Sequence, residues 1–340
     1  MSSTSGKVAR NAGVLMLSQV LTWGMTLLLT IFLPRELGAT AIGQLHLGSS
    51  LWMVAGIAIG FGMDTLLTKE VARAPGRAAA LLRRSVLLRL ALYLLGFAAV
   101  YLYARTAYRP ATVTVILVVG AGNFFWQLAS AVQATLQGLE RMEYISAGTV
   151  AGKAFVTIVS LILLFMGFGV VVMAWVSAAG AAITLLVMAF FVVRLLPPDS
   201  GEALDSRAML RGGLPYLANG LLLTAYMQLD VVVISLLVNE TVVGWYGTAD
   251  RLFGTLLFIP SVFITAIFPT LARLATGEGD ELARMMRRSF DLLLWLALPI
   301  GLGIVAVARP AVHLLYGAAF DPAGPVLALF GIVLIFTYLN

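Results

Sequence analysis

Cysteine is absent from this 340-residue chain, which removes disulfide frameworks, thiolate metal sites and cysteine nucleophiles together. Histidine is nearly so: His46 and His313 stand far apart in sequence. A metal centre built on imidazoles is not expected, and only carboxylate sites for hard cations stay open. Charge is scarce too, with 11% of residues charged and 61% hydrophobic, against about 25% charged in an ordinary soluble domain. A water-soluble fold is excluded. No glycine-rich phosphate loop of the nucleotide-hydrolase type occurs, so ATP is not the expected drive. No loop is long enough to house a soluble catalytic domain.

What the chain does have is continuous apolar runs of about twenty residues, the length of a membrane-crossing helix rather than of an alternating barrel strand. Ten candidate spans are read at 11–33, 44–67, 86–105, 111–137, 144–166, 170–193, 213–238, 243–271, 290–308 and 324–339. The polar start, 1–10, leads into the first run without a small-residue cleavage site, and so marks an uncleaved span. The formal charge of +6 is spread over helix ends rather than gathered in a basic arm, which argues for membrane orientation and against nucleic acid. With the N-terminus in the cytoplasm, Lys69, Arg73, Arg77, Arg83, Arg84, Arg141, Arg194, Arg207, Arg211, Arg273, Arg284, Arg287 and Arg288 fall inside. Only Arg35, Arg105, Arg109 and Arg309 fall outside. A multi-pass protein of the cytoplasmic (inner) cell membrane is expected.

The sequence also repeats. Arg10 precedes Gly43 by 33 residues, and Arg211 precedes Gly244 by 33; Ala72-Arg73 recurs as Ala272-Arg273, and Arg83-Arg84-Ser85 as Arg287-Arg288-Ser289. Copies separated by six spans keep one orientation, as in a parallel repeat about an axis along the membrane normal. The expected fold is therefore an all-α polytopic membrane protein with two pseudo-symmetric helical lobes around a central cavity. Its expected parts are a six-span lobe over 1–196, a cytoplasmic linker over 197–212 rich in Pro and Gly, and a second lobe over 213–340. The apolar run reaches Asn340 with no polar flank, and a second lobe lacking its last spans is expected.

Several fragments resemble the polysaccharide flippase family, within the superfamily that also holds the multidrug and toxin extrusion transporters. They are Pro34-Arg35-Glu36-Leu37-Gly38 with Ile42-Gly43, the turn Gln137-Gly138-Leu139-Glu140-Arg141-Met142-Glu143-Tyr144, and Leu229-Asp230-Val231-Val232. Val243-Gly244-Trp245-Tyr246, Ala249-Asp250-Arg251-Leu252, Phe268-Pro269-Thr270-Leu271 and Tyr316-Gly317-Ala318-Ala319-Phe320 complete the set. The resemblance implies two six-helix lobes, alternating access, and a lipid-linked oligosaccharide turned over from the cytoplasmic to the outer leaflet. It also implies about twelve to fourteen spans on the parallel-repeat architecture.

Charges inside spans cost roughly 2.5 to 3.5 kcal/mol each at mid-bilayer, so they face a protein interior or a watery path. The hairpin 215–269 carries three: Asp230, Asp250 and Arg251. Arg251 is a candidate donor to phosphate, with Asp230 tuning it or holding a coupling cation; a structural Arg251–Asp230 ion pair is the alternative, with Asp250 a second partner. Lys153 lies roughly 13 Å into the fifth span at about 1.5 Å per residue. It is a candidate for the pyrophosphate of a polyprenyl-linked sugar, or a packing lysine. Asn123 and Gln127, four apart on one helical face, are candidate sugar-binding amides, although interhelical glue is the common use of such residues.

Asp64, Arg35 and Asp250 are gate candidates, with solvated helix ends and surface turns as the alternatives. Trp126, Trp245 and Tyr246 offer sugar stacking or interfacial anchoring. Pro260 offers a bend, Gly148 and Gly152 offer close helix packing, and 74–89 is read as an interfacial helix or a plain positive-inside anchor.

The expected function is a flippase for a polyprenyl-pyrophosphate-linked oligosaccharide, not an enzyme. No cofactor is expected, and a coupling sodium ion or proton stays open. Expected partners are the lipid-linked oligosaccharide, membrane lipids, a polysaccharide polymerase and glycosyltransferases. A cation-coupled multidrug exporter and, from another class, a membrane glycosyltransferase or polymerase are the rival readings.

Overall fold

Eleven α-helices and two short 3-10 turns, with no strand, form the described residues of the computed structural model, which are 2–196, 205–274 and 280–339. In order they are α1 (Ser2–Gly60), α2 (Met63–Arg73), α3 (Ala78–Ala107), α4 (Pro110–Gly138), α5 (Met142–Phe165) and α6 (Val170–Leu195). They continue as α7 (Ser206–Leu237), α8 (Glu240–Leu256), α9 (Phe258–Leu274), α10 (Glu281–Tyr316) and α11 (Ala323–Leu339). Most of the expected linker, and the side chains of Gln228, Phe268, Pro269 and Arg273, lie outside the described residues.

Helix α1 is two helices joined at Gly38, whose φ of 80° and ψ of 169° leave the helical region. A side chain there would meet nothing within 4 Å, so backbone conformation, not space, is what calls for glycine. The chain reverses at this point. The first arm runs parallel to α5, since Ser18 Oγ donates to Ser146 Oγ at 3.2 Å and Phe32 packs edge-on to Phe165. The second arm, continued by α2, runs parallel to α4. Trp52 Nε1 donates to the Ile116 carbonyl at 2.7 Å, Gln127 Nε2 to the Gly56 carbonyl at 2.8 Å, and Thr68 Oγ1 to the Ala134 carbonyl at 3.1 Å. Because α4 and α5 are antiparallel across the turn at 139–141, the two arms are antiparallel as well. The bundle thus has a Gly38 face and an Asp64 face.

The ten expected spans do not each coincide with one helix. Six helices among the described residues are long and apolar enough to cross a membrane, seven if α7 counts despite its 50° bend. Two of the ten expected spans are the arms of α1, and the expected span 243–271 is divided into α8 and α9 at Leu257. The break follows from Pro260, which has no N–H to give to the carbonyl four residues before it. That carbonyl belongs to Leu256, and Tyr338 on α11 donates its hydroxyl to it at 2.6 Å. Tyr338→Phe is expected to cost about 1 kcal/mol by leaving this acceptor bare; a chemical-denaturation midpoint in detergent unchanged from wild type would contradict this.

Gly148 and Gly152 pack as their spacing predicts. A Cβ on Gly148 would fall 2.6 Å from Met188 Cγ, and one on Gly152 2.0 Å from Thr184 Oγ1 of α6. Outward-facing Leu94, Leu186, Val193, Leu222 and Trp295 are largely exposed, as a lipid-facing surface requires.

The second arm of α1 meets α8 at the Gly38 face, residue against residue at an offset of 201. Thr40 and Thr241 share a hydrogen bond of 2.9 Å. A Cβ on Gly43 would lie 1.7 Å from the Glu240 carbonyl oxygen, and one on Gly244 1.9 Å from the Ala39 carbonyl oxygen. The pairing is reciprocal, and backbones this close admit no side chain. Thr112 donates to Glu240 at 2.9 Å, and the Tyr108 and Ser235 hydroxyls lie 3.0 Å apart, so this face is sealed by small residues and hydroxyls.

With no native cysteine to remove, Thr40→Cys with Thr241→Cys is expected to cross-link on oxidation and lock this face closed until reduced. Adding Gly43→Ala should lower the cross-linking yield severalfold by prising the helices apart. Equal yields with and without it would remove the steric argument.

Candidate functional site

Three hollows lie close together, and two of them meet at one side chain, Arg251 of α8. The first, about 380 Å³, is lined by Ser49, Trp52, Asn123, Trp126, Ser177 and Arg251 among others. The second, about 340 Å³, shares Trp52, Met53, Asn123 and Trp126 with it and continues to Gln127, Ser130, Tyr216 and Asp64. The third, about 660 Å³, lies between the first arm of α1 and α8–α9, lined by Trp23, Thr26, Leu27, Leu257 and Phe258 with Arg251. The first two form a polar run toward the Asp64 face, and the third is mostly apolar. Each falls within the roughly 300–1,000 Å³ of ordinary ligand sites. An open groove of about 800 Å³ at Arg309, His313 and Asp321, between α10 and α11, lies apart from them.

Arg251 is partly buried, and among the described residues no carboxylate lies within 4 Å of it and no hydrogen bond engages its guanidinium. A guanidinium carries five donors in a fixed fork. Left unused between two of the hollows, they are free to serve an anion. Lys153 of α5 and His46 of α1 are within Coulombic range of it, as are Asp250 and Tyr316.

The Arg251–Asp230 ion pair is not formed. Asp230 accepts a hydrogen bond from the Tyr246 hydroxyl instead. The reason is register: α8 starts at Glu240, capped by Asn239, whose Oδ1 accepts from the Val242 N–H at 3.1 Å. That start is three residues earlier than the expected span. Tyr246 is therefore level with Asp230, and Arg251, five residues further on, sits deeper by roughly 7.5 Å at about 1.5 Å per residue.

The model of a family described as polysaccharide biosynthesis protein matches residues 8–275. The chain belongs to this family. Among solved structures it is similar to one described as the inward-facing conformation of a multidrug resistance MATE family transporter of the MOP superfamily. The TM-score is 0.65 at 16% identity, covering 94% of this chain and 81% of that one. It is also similar to the eukaryotic MATE transporter AtDTX14, with a TM-score of 0.58 at 14% identity, covering 98% of this chain and 80% of that one. No curated protein sequence matches. At these identities the likeness shows the fold alone, which is that of the two MATE transporters.

In this polysaccharide biosynthesis family member the other expected site residues separate into those at the hollows and those away from them. Asn123 lines both polar chambers; its Nδ2 donates to the Trp52 carbonyl at 3.3 Å, and its Oδ1 is buried with no partner. Gln127 touches the second chamber but its amide is spent, Nε2 on Gly56 and Oε1 on Arg89, so it braces helices. Trp126 faces the chambers, half exposed, and is available for stacking. Trp245 and Tyr246 are held by protein partners, the Ala319 carbonyl and Asp230, rather than serving as belt anchors alone. Asp250 is partly buried beside Arg251. Lys153 lines none of the four hollows, and among the described residues nothing hydrogen-bonds its amine. Arg35 and Glu36 are exposed at the Gly38 turn; the seal is made by 39–47 and 240–247 instead.

Asp64 stands in the first turn of α2, half exposed and paired. Its Oδ1 accepts from Arg89 Nη2 at 2.6 Å, while half of its side-chain surface stays open to the second chamber. Arg89, read from sequence within an interfacial or anchoring stretch, is fully buried. Its Nη1 donates to the Gln127 carbonyl at 2.9 Å and to Ser130 Oγ at 2.6 Å, and its Nε donates to Ser85 Oγ at 3.3 Å. This cation ties α2, α3 and α4 together. The expected interfacial helix is instead a 3-10 turn, Pro75–Arg77, followed by α3. His46 was also passed over: it is buried at the seal, its ring packed on Gly247 and its Nε2 without a partner.

Proposed function

We propose that this membrane transporter is a flippase for a polyprenyl-pyrophosphate-linked oligosaccharide, carried from the cytoplasmic to the outer leaflet of the cell membrane. The observation that carries the reading is the Arg251 guanidinium, unpaired among the described residues, between an apolar hollow and the first of two adjoining polar ones. A lipid-linked glycan has the same order of parts: an apolar tail, a dianionic bridge and a polar headgroup. Arg251 holds the pyrophosphate with charge-assisted hydrogen bonds, and Lys153 adds positive potential nearby. The tail leaves between the first arm of α1 and α8–α9, and the sugars extend along Trp126 and Asn123.

With the N-terminus in the cytoplasm, the sealed Gly38 face is the outer one. Transport then requires the 39–47 and 240–247 contact to part while the Asp64 face closes. Outward movement of negative charge is favoured by an inside-negative potential at about 2.3 kcal/mol per charge per 100 mV; a proton or sodium ion is the further candidate drive. An exporter of organic cations calls for an acid at the junction, whereas Asp230 is occupied by Tyr246 and the charged group lining both the first polar hollow and the apolar one is a cation.

The test is turnover of a labelled lipid-linked glycan in vesicles containing the full-length protein. Protein-dependent exposure of the glycan on the opposite leaflet is expected. Its absence with folded protein, across several glycans, would sink the reading.

A further inference from the structure

The hydrogen-bonding roles along the two polar chambers are not mixed evenly. At one end Arg251 is a pure donor. At the other, the side chains whose role is fixed as acceptor are the Asp64 carboxylate, half open to the chamber, and Asn123, whose amide nitrogen is used on Trp52 and whose Oδ1 has no partner. The hydroxyls of Thr65 and Tyr216 serve either role, that of Ser130 is taken up between Arg89 and the Gln127 carbonyl, and the Trp126 indole N–H is a neutral donor. No Lys, Arg or His lines the 340 Å³ chamber among the described residues. The cation behind its wall, Arg89, has no exposed side-chain surface and is fully engaged by Asp64, Gln127, Ser130 and Ser85.

We infer that the chamber at Asp64 selects sugars that are neutral or amino-bearing, and rejects sugars carrying a carboxylate. The inference rests on the flippase reading and specifies the glycan class for the same site. A uronic-acid carboxylate in this chamber would face Asp64 with no free cation to offset the repulsion. A like-charge contact in a desolvated site costs several kcal/mol. Sugar hydroxyls, amide N–H groups or an ammonium would instead supply the donors that Asp64 and Asn123 lack. Trp126, beside both acceptors, offers a face on which the ring can lie.

The experiment uses the full-length protein in detergent and three ligands sharing one polyprenyl pyrophosphate: no sugar, a neutral disaccharide, and the same disaccharide with one CH2OH oxidised to carboxylate. Binding is read from the shift in melting midpoint and from competition. The neutral form is expected to bind at least about tenfold tighter than the acidic one. Thr65→Lys, which puts a cation in the chamber without touching the Arg89 network, should reverse that order. Asp64→Asn, which leaves the Arg89 charge unbalanced, should narrow it, and serves if Thr65→Lys does not fold.

Equal or tighter binding of the acidic glycan to wild type would overturn the inference while leaving the flippase reading standing, as long as the sugar-free lipid still binds and Arg251→Gln weakens it. If polyprenyl pyrophosphate itself does not bind, the flippase reading falls and takes this inference with it.

Discussion

Arg251→Gln is expected to lower turnover of a lipid-linked glycan by about a hundredfold or more, with folding and membrane insertion unchanged. Charge-assisted hydrogen bonds are worth roughly 1.5–3 kcal/mol each, and loss of two exceeds the 2.8 kcal/mol or so that corresponds to two decades. Folding should survive because the guanidinium has no partner to abandon among the described residues. Arg251→Lys separates charge from shape: it keeps the cation but loses the planar fork, and should retain about a tenth of wild-type turnover. Transport assays on the three proteins at matched amounts in vesicles decide the matter. Wild-type rates for Arg251→Gln would remove the junction from the mechanism.

The second large effect is on stability. Arg89→Met is expected to destabilise the protein by about 3 kcal/mol, measured by denaturation in detergent. Removing one member of a buried ion pair costs roughly 3–5 kcal/mol, and Asp64, half exposed to its chamber, recovers part of that through water. The remainder comes from the Gln127 carbonyl and the Ser130 and Ser85 hydroxyls, which lose their donor. Adding Asp64→Leu should return part of the loss, since it removes the stranded charge. A loss under about 0.5 kcal/mol for Arg89→Met is what a solvated anchor would give, and would contradict the buried network.

These two arginines show where the sequence is readable. Arg251 stands out because it lies inside an apolar run, and insertion energetics alone mark it. Arg89 lies near the start of a span, where a cation is ordinarily an anchor; what buries it are partners 25, 38 and 41 residues away, which no local pattern reveals. A trace was there all the same, for Ser85 stands one helical turn before Arg89.

The same distinction separates Asn123 from Gln127. Their spacing puts them on one face, but which amide is spent depends on the carbonyls of Trp52 and Gly56 across the helix pair. Helix boundaries behaved likewise. The reversal at Gly38 follows from Pro34 and the glycine after it, and the break at Leu257 was foreshadowed by Pro260. The start of α8 at Glu240, signalled only by the Asn239 cap, decided which residue met Asp230.

The contacts at an offset of 201 bear on how such a chain came to exist. A residue on a two-fold axis meets its own copy, so two separate half-length chains associating side by side would place identical side chains there. Thr40 with Thr241 and Gly43 with Gly244 still obey that constraint. His46 and Gly247 do not: the imidazole fills the space that the glycine leaves, with 2.6 Å between the ring and a Cβ at that position. A symmetric pair of half-chains would have to put two imidazoles into that gap or leave it empty. Joining the halves in one polypeptide frees each side of the axis to change alone, and the unlike pair at 46 and 247 is a contact that two identical half-chains cannot form.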